Sequence, residues 1–157
     1  MTLFTAAGVR VSVHPVFVLV LFALAWTGRI TEGTIVFGVV LVHELAHVVA
    51  AKGAGLVVRE VELLPFGGVA RLEGLLETDP SVEAAVAWAG PATNVFLLAT
   101  GLLLWRWDVV PERWAQFFVL TNAVVAGVNL VPALPLDGGR LYRAFRSRRV
   151  GFRRATA

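Results

Sequence analysis

The chain alternates between long apolar blocks and short polar breaks. Residues 11–28 carry no Asp, Glu, Lys or Arg, and residues 33–51 carry Glu44 as their only formal charge. Residues 84–105 and 114–136 are uncharged throughout. The blocks are 18, 19, 22 and 23 residues long. About 20 helical residues, rising about 1.5 Å each, cross a hydrocarbon layer of roughly 30 Å. The pattern therefore predicts an all-α membrane protein, a polytopic bundle of about four transmembrane helices. The first block is the weakest, because its dense apolar part begins only at Pro15.

A different rhythm fills residues 52–83. Gly53 and Gly55 lead into the valine-rich alternation of residues 57–64; Pro65-Phe66-Gly67-Gly68 and residues 69–73 follow. This predicts a short β-hairpin or re-entrant loop between helices 2 and 3, with Gly67-Gly68 as its turn or a point of close approach. Thr78-Asp79-Pro80, with Glu83 shortly after, reads as a helix start: a capping residue, a proline and an early acid. There is no internal repeat and no low-complexity linker, so residues 1–157 form one membrane domain.

Composition sharpens this picture. The chain is 57% hydrophobic and only 16% charged, whereas a soluble domain runs near a quarter charged. Disorder is excluded by the same balance. The absence of Cys removes disulfide scaffolds, thiol catalysis and Cys-based zinc sites together. Arg10, the first apolar run and Ala23-Leu24-Ala25 resemble a signal peptide, but His14-Pro15 interrupts the run and three further spans follow. The block is therefore expected to stay.

Seven arginines lie between Arg140 and Arg154 with no acid among them. The positive-inside rule places that tail in the cytoplasm, and four crossings place the N-terminus there too. The tail reads as a topology signal with an attraction to anionic lipid, not as a nucleic-acid site.

Chemistry enters at His43-Glu44-Leu45-Ala46-His47, inside the second block. Residues four apart share a helix face, so both imidazoles can converge on one ion. This is the HExxH pattern of two zinc ligands with the intervening Glu as general base. The bland alternative is a pair of core histidines beside a chance Glu. Location decides against it, since an unpartnered carboxylate at membrane depth costs about 2.5–3.5 kcal/mol even on the lenient insertion scale. A catalytic zinc takes three protein ligands and keeps one open position.

Without Cys, the third ligand is His14, a carboxylate or something weaker. Asp137 is the better candidate, because it and His47 both lie a few residues before a basic residue at the cytoplasmic end of an inward-running block. Taken alone, Asp137-Gly138-Gly139 reads as a helix-ending turn. Pro132 and Pro135 just before it break the helix ladder, as expected where backbone lines a polar cavity.

The pairing of His43-Glu44-Leu45-Ala46-His47 with Asn129-x-x-Pro132-x-x-Pro135-Leu136-Asp137-Gly138-Gly139 resembles the site-2 protease family of intramembrane zinc metalloproteases, peptidase family M50. It is most similar to the bacterial branch that contains the stage IV sporulation protease. Phe66-Gly67-Gly68 and Gly90-Pro91-Ala92-Thr93-Asn94 match further motifs of that branch. The resemblance implies Zn²⁺ held by His43, His47 and Asp137, with Glu44 as catalytic base. It also implies that Asn129 and Pro135 help to position substrate, and that Phe66, Gly67 and Gly68 belong to a membrane-dipping loop and strand beside the cleft. A substrate would then unwind and add there as a strand. On the residues alone, Gly90-Pro91 reads equally as a packing kink, and Asn94 as a helix–helix hydrogen bond.

The resemblance further implies a membrane-tethered pro-sigma factor as substrate and membrane regulatory proteins as partners. Members of the branch resemble a six-span domain followed by a cytoplasmic CBS module, so this chain is expected to be a catalytic core without those C-terminal parts. The rival reading is a metal-binding transporter or regulatory scaffold without hydrolytic activity, since intramembrane His, Glu and Asp also mark ion pathways. Glu44 discriminates, because a transporter needs no base beside a ligand. A soluble zincin fails on the uncharged third and fourth blocks.

Overall fold

The computed structural model describes residues 2–6, 9–64, 67–73 and 79–150. Two strands, β1 (Thr2–Ala6) and β2 (Val9–Val13), lead into α1 (Pro15–Trp26) and α2 (Ile30–Gly53). Strands β3 (Val57–Leu64) and β4 (Gly67–Glu73) follow, then α3 (Pro80–Arg106), α4 (Glu112–Asn129) and α5 (Asp137–Val150). The molecule is mostly helical, and among the described residues α2 and α3 are the two helices long and apolar enough to cross a membrane. Their 24 and 27 residues extend about 36 and 40 Å at 1.5 Å per residue.

The first apolar block divides. Residues 11–13 finish β2, and only the 12 residues of α1 are helical, about 18 Å of helix. The break falls at His14-Pro15, where Pro15 opens the helix and the His14 Nδ1 accepts from the Val16 amide at 3.3 Å. A proline at the first helical position forfeits no hydrogen bond, so it starts α1 and cannot continue β2 into it. The fourth block divides as well. Helix α4 ends at Asn129, residues 130–136 run through turns, and Asp137 opens a new helix.

The β-hairpin expected from residues 57–73 is present as β3 and β4, paired antiparallel. Gly67 and Gly68 are not its turn: they begin β4, in register with Leu64 and Leu63. The sheet is also larger than the hairpin, with strand order β1-β2-β3-β4, β1–β2 antiparallel and β2–β3 parallel. The alternation in Val9-Arg10-Val11-Ser12-Val13 is the sequence signal for β2. Ser12 donates to the Glu60 carboxylate on β3 at 3.0 Å.

Val13, Phe17, Val48, Ala51, Val58 and Val86 form the apolar core. It joins the sheet and the start of α1 to the C-terminal end of α2 and the first turns of α3. Helix α2 stops where Gly55 adopts a left-handed conformation (φ +80°), with the Leu56 amide bonding back to the Ala51 carbonyl at 2.9 Å. Glycine takes that conformation without the steric penalty of a side chain. The end of α2 and the start of α3 are thus pinned to one sheet. Away from it, the helices turn large apolar side chains outward, among them Leu19, Phe22, Trp26 and Phe96.

Candidate metal centre

His43, Glu44 and His47 are all buried on α2. One helical turn sets the two imidazoles 4.8 Å apart, centroid to centroid, edge to face. Asp137 reaches them from the first turn of α5, 90 residues further along the chain. Its Oδ2 lies 3.2 Å from His43 Nε2 and 3.1 Å from His47 Nε2, and the two Nε2 atoms are 3.2 Å apart. The three side chains form a triangle of donors, all buried.

The outer ring nitrogens decide what this triangle can hold. His47 Nδ1 lies 2.7 Å from the Val86 carbonyl oxygen, and His43 Nδ1 lies 2.5 Å from Asn94 Oδ1. Both partners accept, so each ring carries its proton on Nδ1 and leaves Nε2 bare. Two nitrogen lone pairs and a carboxylate oxygen then face one another at about van der Waals distance. One extra proton can satisfy one edge of the triangle, whereas a cation satisfies all three. The centre of such a triangle is about 1.8 Å from each corner, slightly inside the zinc–nitrogen and zinc–oxygen distances of about 2.0–2.2 Å. Two imidazoles and a carboxylate without sulfur suit a divalent ion of the zinc type with an open fourth position.

Helix α3 supplies the wall. A Cβ added to Gly90 would sit 2.4 Å from His47 Nε2 and 2.6 Å from His43 Cε1, so at this point only hydrogen fits against the donors. Pro91 beside it is fully buried, and the missing side chain at Gly90 lets α3 approach the imidazoles. Asn94, one turn further, makes the helix–helix hydrogen bond anticipated for it, to His43 and also to Asn122 on α4 at 2.9 Å.

The Asp137 side depends on two glycines. A Cβ at Gly138 would lie 2.2 Å from the Leu130 carbonyl oxygen, and one at Gly139 would lie 2.5 Å from the Ala133 carbonyl carbon. The loop of residues 130–136 folds back over the first turn of α5, and side chains there would push it off. Asp137-Gly138-Gly139 therefore starts a helix under a close-packed loop instead of ending one. Arg143 on α5 pairs with the buried Glu83 on α3, fixing the angle at which Asp137 is offered. Arg140 stands 3.5 Å from the other Asp137 oxygen.

The other sequence candidates lie elsewhere. His14 caps α1. Asn129 donates back to the Val125 carbonyl of its own helix at 3.0 Å. Pro135 is exposed in the loop before Asp137. Gly67 and Gly68 are in β4, and Phe66 lies outside the described residues. Sequence reasoning missed Gly90 as a wall, Asn122 as a partner, and the Glu83–Arg143 pair. Asn122 and Glu83 had a signal, each being a polar residue inside or at the edge of an uncharged block.

Residues 33–110 match the model of peptidase family M50. The chain is 32% identical to Stage IV sporulation protein FB of Bacillus subtilis, over 93% of this chain and 51% of that protein. It is 29% identical to Zinc metalloprotease MJ0392 of Methanocaldococcus jannaschii, over 98% of this chain and 48% of that one. It spans between 30% and 51% of the length of these and other curated relatives. Among solved structures, the Site-2 Protease from Methanocaldococcus jannaschii superposes with a TM-score of 0.79 at 28% identity, covering 99% of this chain and 76% of that one.

Proposed function

Because the chain belongs to peptidase family M50, we propose that it is the catalytic core of an intramembrane zinc endopeptidase that cuts a membrane-associated protein near the cytoplasmic face. The observation that carries this reading is the triangle of bare Nε2, Nε2 and Oδ2 atoms 3.1–3.2 Å apart, with Glu44 buried next to it. His43, His47 and Asp137 are assigned as the ligands of one zinc ion. Zinc held there supplies Lewis acidity, which polarises a peptide carbonyl and makes water a nucleophile at neutral pH.

The chain's own residues do the rest. Glu44, on the residue after the first ligand, is about 100° further around α2. It takes the proton of the attacking water and returns it to the leaving amine. Asn94 and the Val86 carbonyl hold the imidazoles in the tautomer that exposes Nε2. Gly90 keeps the α3 side of the site clear.

The protein is an integral membrane protein. In our reading α1 to α4 give four crossings, the 12-residue α1 being accommodated by local thinning of the bilayer, with both termini and the arginine-rich α5 in the cytoplasm. The sheet then lies at the same end of the bundle as the metal centre, because β3 follows the C-terminus of α2 within a few residues. A substrate segment drawn out of helix could pair with the edge strand β4, which would present its backbone amides toward the site. Asn129, Pro135 and residues 66–68 are assigned to holding that segment. Following the similarity to the sporulation protein, the substrate class is a membrane-tethered pro-sigma factor, met in the company of membrane regulatory proteins.

Replacing Glu44 by Gln tests the reading. Zinc content is expected to stay near one per chain while cleavage of a candidate substrate in membranes falls by about 100-fold or more, the general-base share of catalysis. Unchanged cleavage would overturn the assigned mechanism. Metal-dependent transport without proteolysis would favour a transporter.

A further inference from the structure

The two candidate zinc histidines are held from behind by different means. His47 Nδ1 faces a backbone carbonyl, that of Val86, which no substitution of a side chain removes. His43 Nδ1 faces a side-chain amide, and that amide is the last member of a chain. Asn122 donates its Nδ2 to the Phe118 carbonyl at 2.9 Å. Asn94 donates its Nδ2 to Asn122 Oδ1 at 2.9 Å, and Asn94 Oδ1 meets His43 Nδ1 at 2.5 Å. Both asparagines are fully buried, so water does not substitute for any of these partners.

Direction propagates along this chain. A carbonyl only accepts, so the Asn122 amide must turn its NH₂ toward Phe118 and its oxygen toward Asn94. Asn94 must then give its NH₂ to Asn122 and turn its oxygen to His43. The imidazole, facing an acceptor, must protonate Nδ1 and leave Nε2 bare. A flipped Asn94 would set oxygen against oxygen and NH₂ against the ring N–H. One backbone carbonyl on α4 thereby sets the tautomer of a ring on α2, through α3.

We propose that Asn94 and Asn122 are positioning residues for the metal centre: Asn122 orients the Asn94 amide, and Asn94 fixes His43 with its bare Nε2 toward the ion. This rests on the zinc reading above. Partners of this kind behind a metal-bound histidine typically change metal affinity by about 10–100-fold when lost.

The test measures the zinc dissociation constant of the full chain in detergent by chelator competition. The Co²⁺ absorption spectrum and the melting of the metal-free protein are recorded alongside. Asn94→Leu is expected to weaken zinc by about 10–100-fold and to alter the Co²⁺ bands. Asn122→Leu is expected to weaken zinc by a smaller factor. Asn94→Asp keeps an acceptor for His43 but sets an oxygen against Asn122 Oδ1, so it is expected to bind zinc more tightly than Asn94→Leu and less tightly than the natural chain.

Because Asn122 acts only through Asn94, adding Asn122→Leu to Asn94→Leu should change nothing further. An undiminished effect of Asn122→Leu in that background would overturn the relay, as would Asn94→Asp binding as weakly as Asn94→Leu. If Asn94→Leu shows no melting transition, Asn122→Leu decides: weakened zinc binding with altered Co²⁺ bands supports the relay, and zinc binding as tight as in the natural chain refutes it. A natural chain that binds no zinc sinks the metal reading itself. A natural chain that binds zinc as tightly as a folded Asn94→Leu variant sinks the relay alone.

Discussion

Along α2, the C-terminal half and the N-terminal half meet their neighbours on opposite terms. Around His43 and His47 the contacts are polar, directional and without slack: every ring nitrogen has a facing atom within 3.2 Å. Around the first turns, α2 borders a cavity of about 610 Å³ between α1 and α4, lined mainly by apolar side chains such as Phe17, Leu21, Phe37 and Phe117, with Arg29 and the Arg113–Glu32 pair also on its wall. The apolar part of that wall asks of its surroundings only that they be apolar, and hydrocarbon chains meet that requirement. Buried polar atoms require particular partners in particular directions, because unmade hydrogen bonds in such a medium are expensive. Tight geometry is concentrated in this molecule where chemistry is expected and relaxed where lipid can fill the gaps.

Two glycines make the contrast testable. At Gly90 an added Cβ meets two fixed imidazoles, whereas at Gly33 it meets the tip of Leu24, at 2.6 Å, which can swing into the cavity. Gly90→Ala is therefore expected to have the largest effect of all: zinc binding lost by more than about 100-fold, exceeding removal of a single partner behind a ligand. Equilibrium dialysis against zinc reads this directly. Chelation should lower the melting temperature of the natural chain and leave that of Gly90→Ala unchanged, since a ligand that binds only the folded state stabilises it.

Next in size is Glu83→Ala. It removes the carboxylate paired with Arg143 in the buried contact of α3 with α5, and breaking such a pair costs about 3–5 kcal/mol. Thermal unfolding should show the loss, with zinc affinity falling as Asp137 loses its fixed approach. Gly33→Ala is expected to change stability by less than about 1 kcal/mol, because a flexible neighbour can move, and to leave zinc affinity untouched. Arg113→Ala, which breaks an exposed pair with Glu32, should leave zinc affinity unchanged and serves as the baseline. A Gly33→Ala variant as damaged as Gly90→Ala would erase the distinction between the two ends of α2.

How much of this was legible beforehand depends on the range of the interaction. The spacing of His43 and His47 is local to one helix, and both the pair and the intervening Glu44 can be read from the chain. Asp137 was legible as a candidate, because acids are scarce and its depth matched. That it begins a helix was not legible, since Asp-Gly-Gly after two prolines carries every mark of a terminator. The reason for those glycines is a loop backbone pressed within 2.6 Å of where their side chains would be, a contact that no local rule encodes. Strands β1 and β2 were hidden because a five-residue alternation runs straight into an apolar helix. The relay from Asn122 to His43 joins three helices, so only the packed fold displays it.

The central claim is that His43, His47 and Asp137 hold one zinc ion, and zinc-edge X-ray absorption on the purified chain tests it most directly. The account predicts about one zinc per chain with two imidazole nitrogens and carboxylate or water oxygens as neighbours at about 2.0–2.2 Å, and loss of the bound zinc in Asp137→Ala. A natural chain that binds no zinc, or an Asp137→Ala variant with the same affinity and the same spectrum, would contradict it.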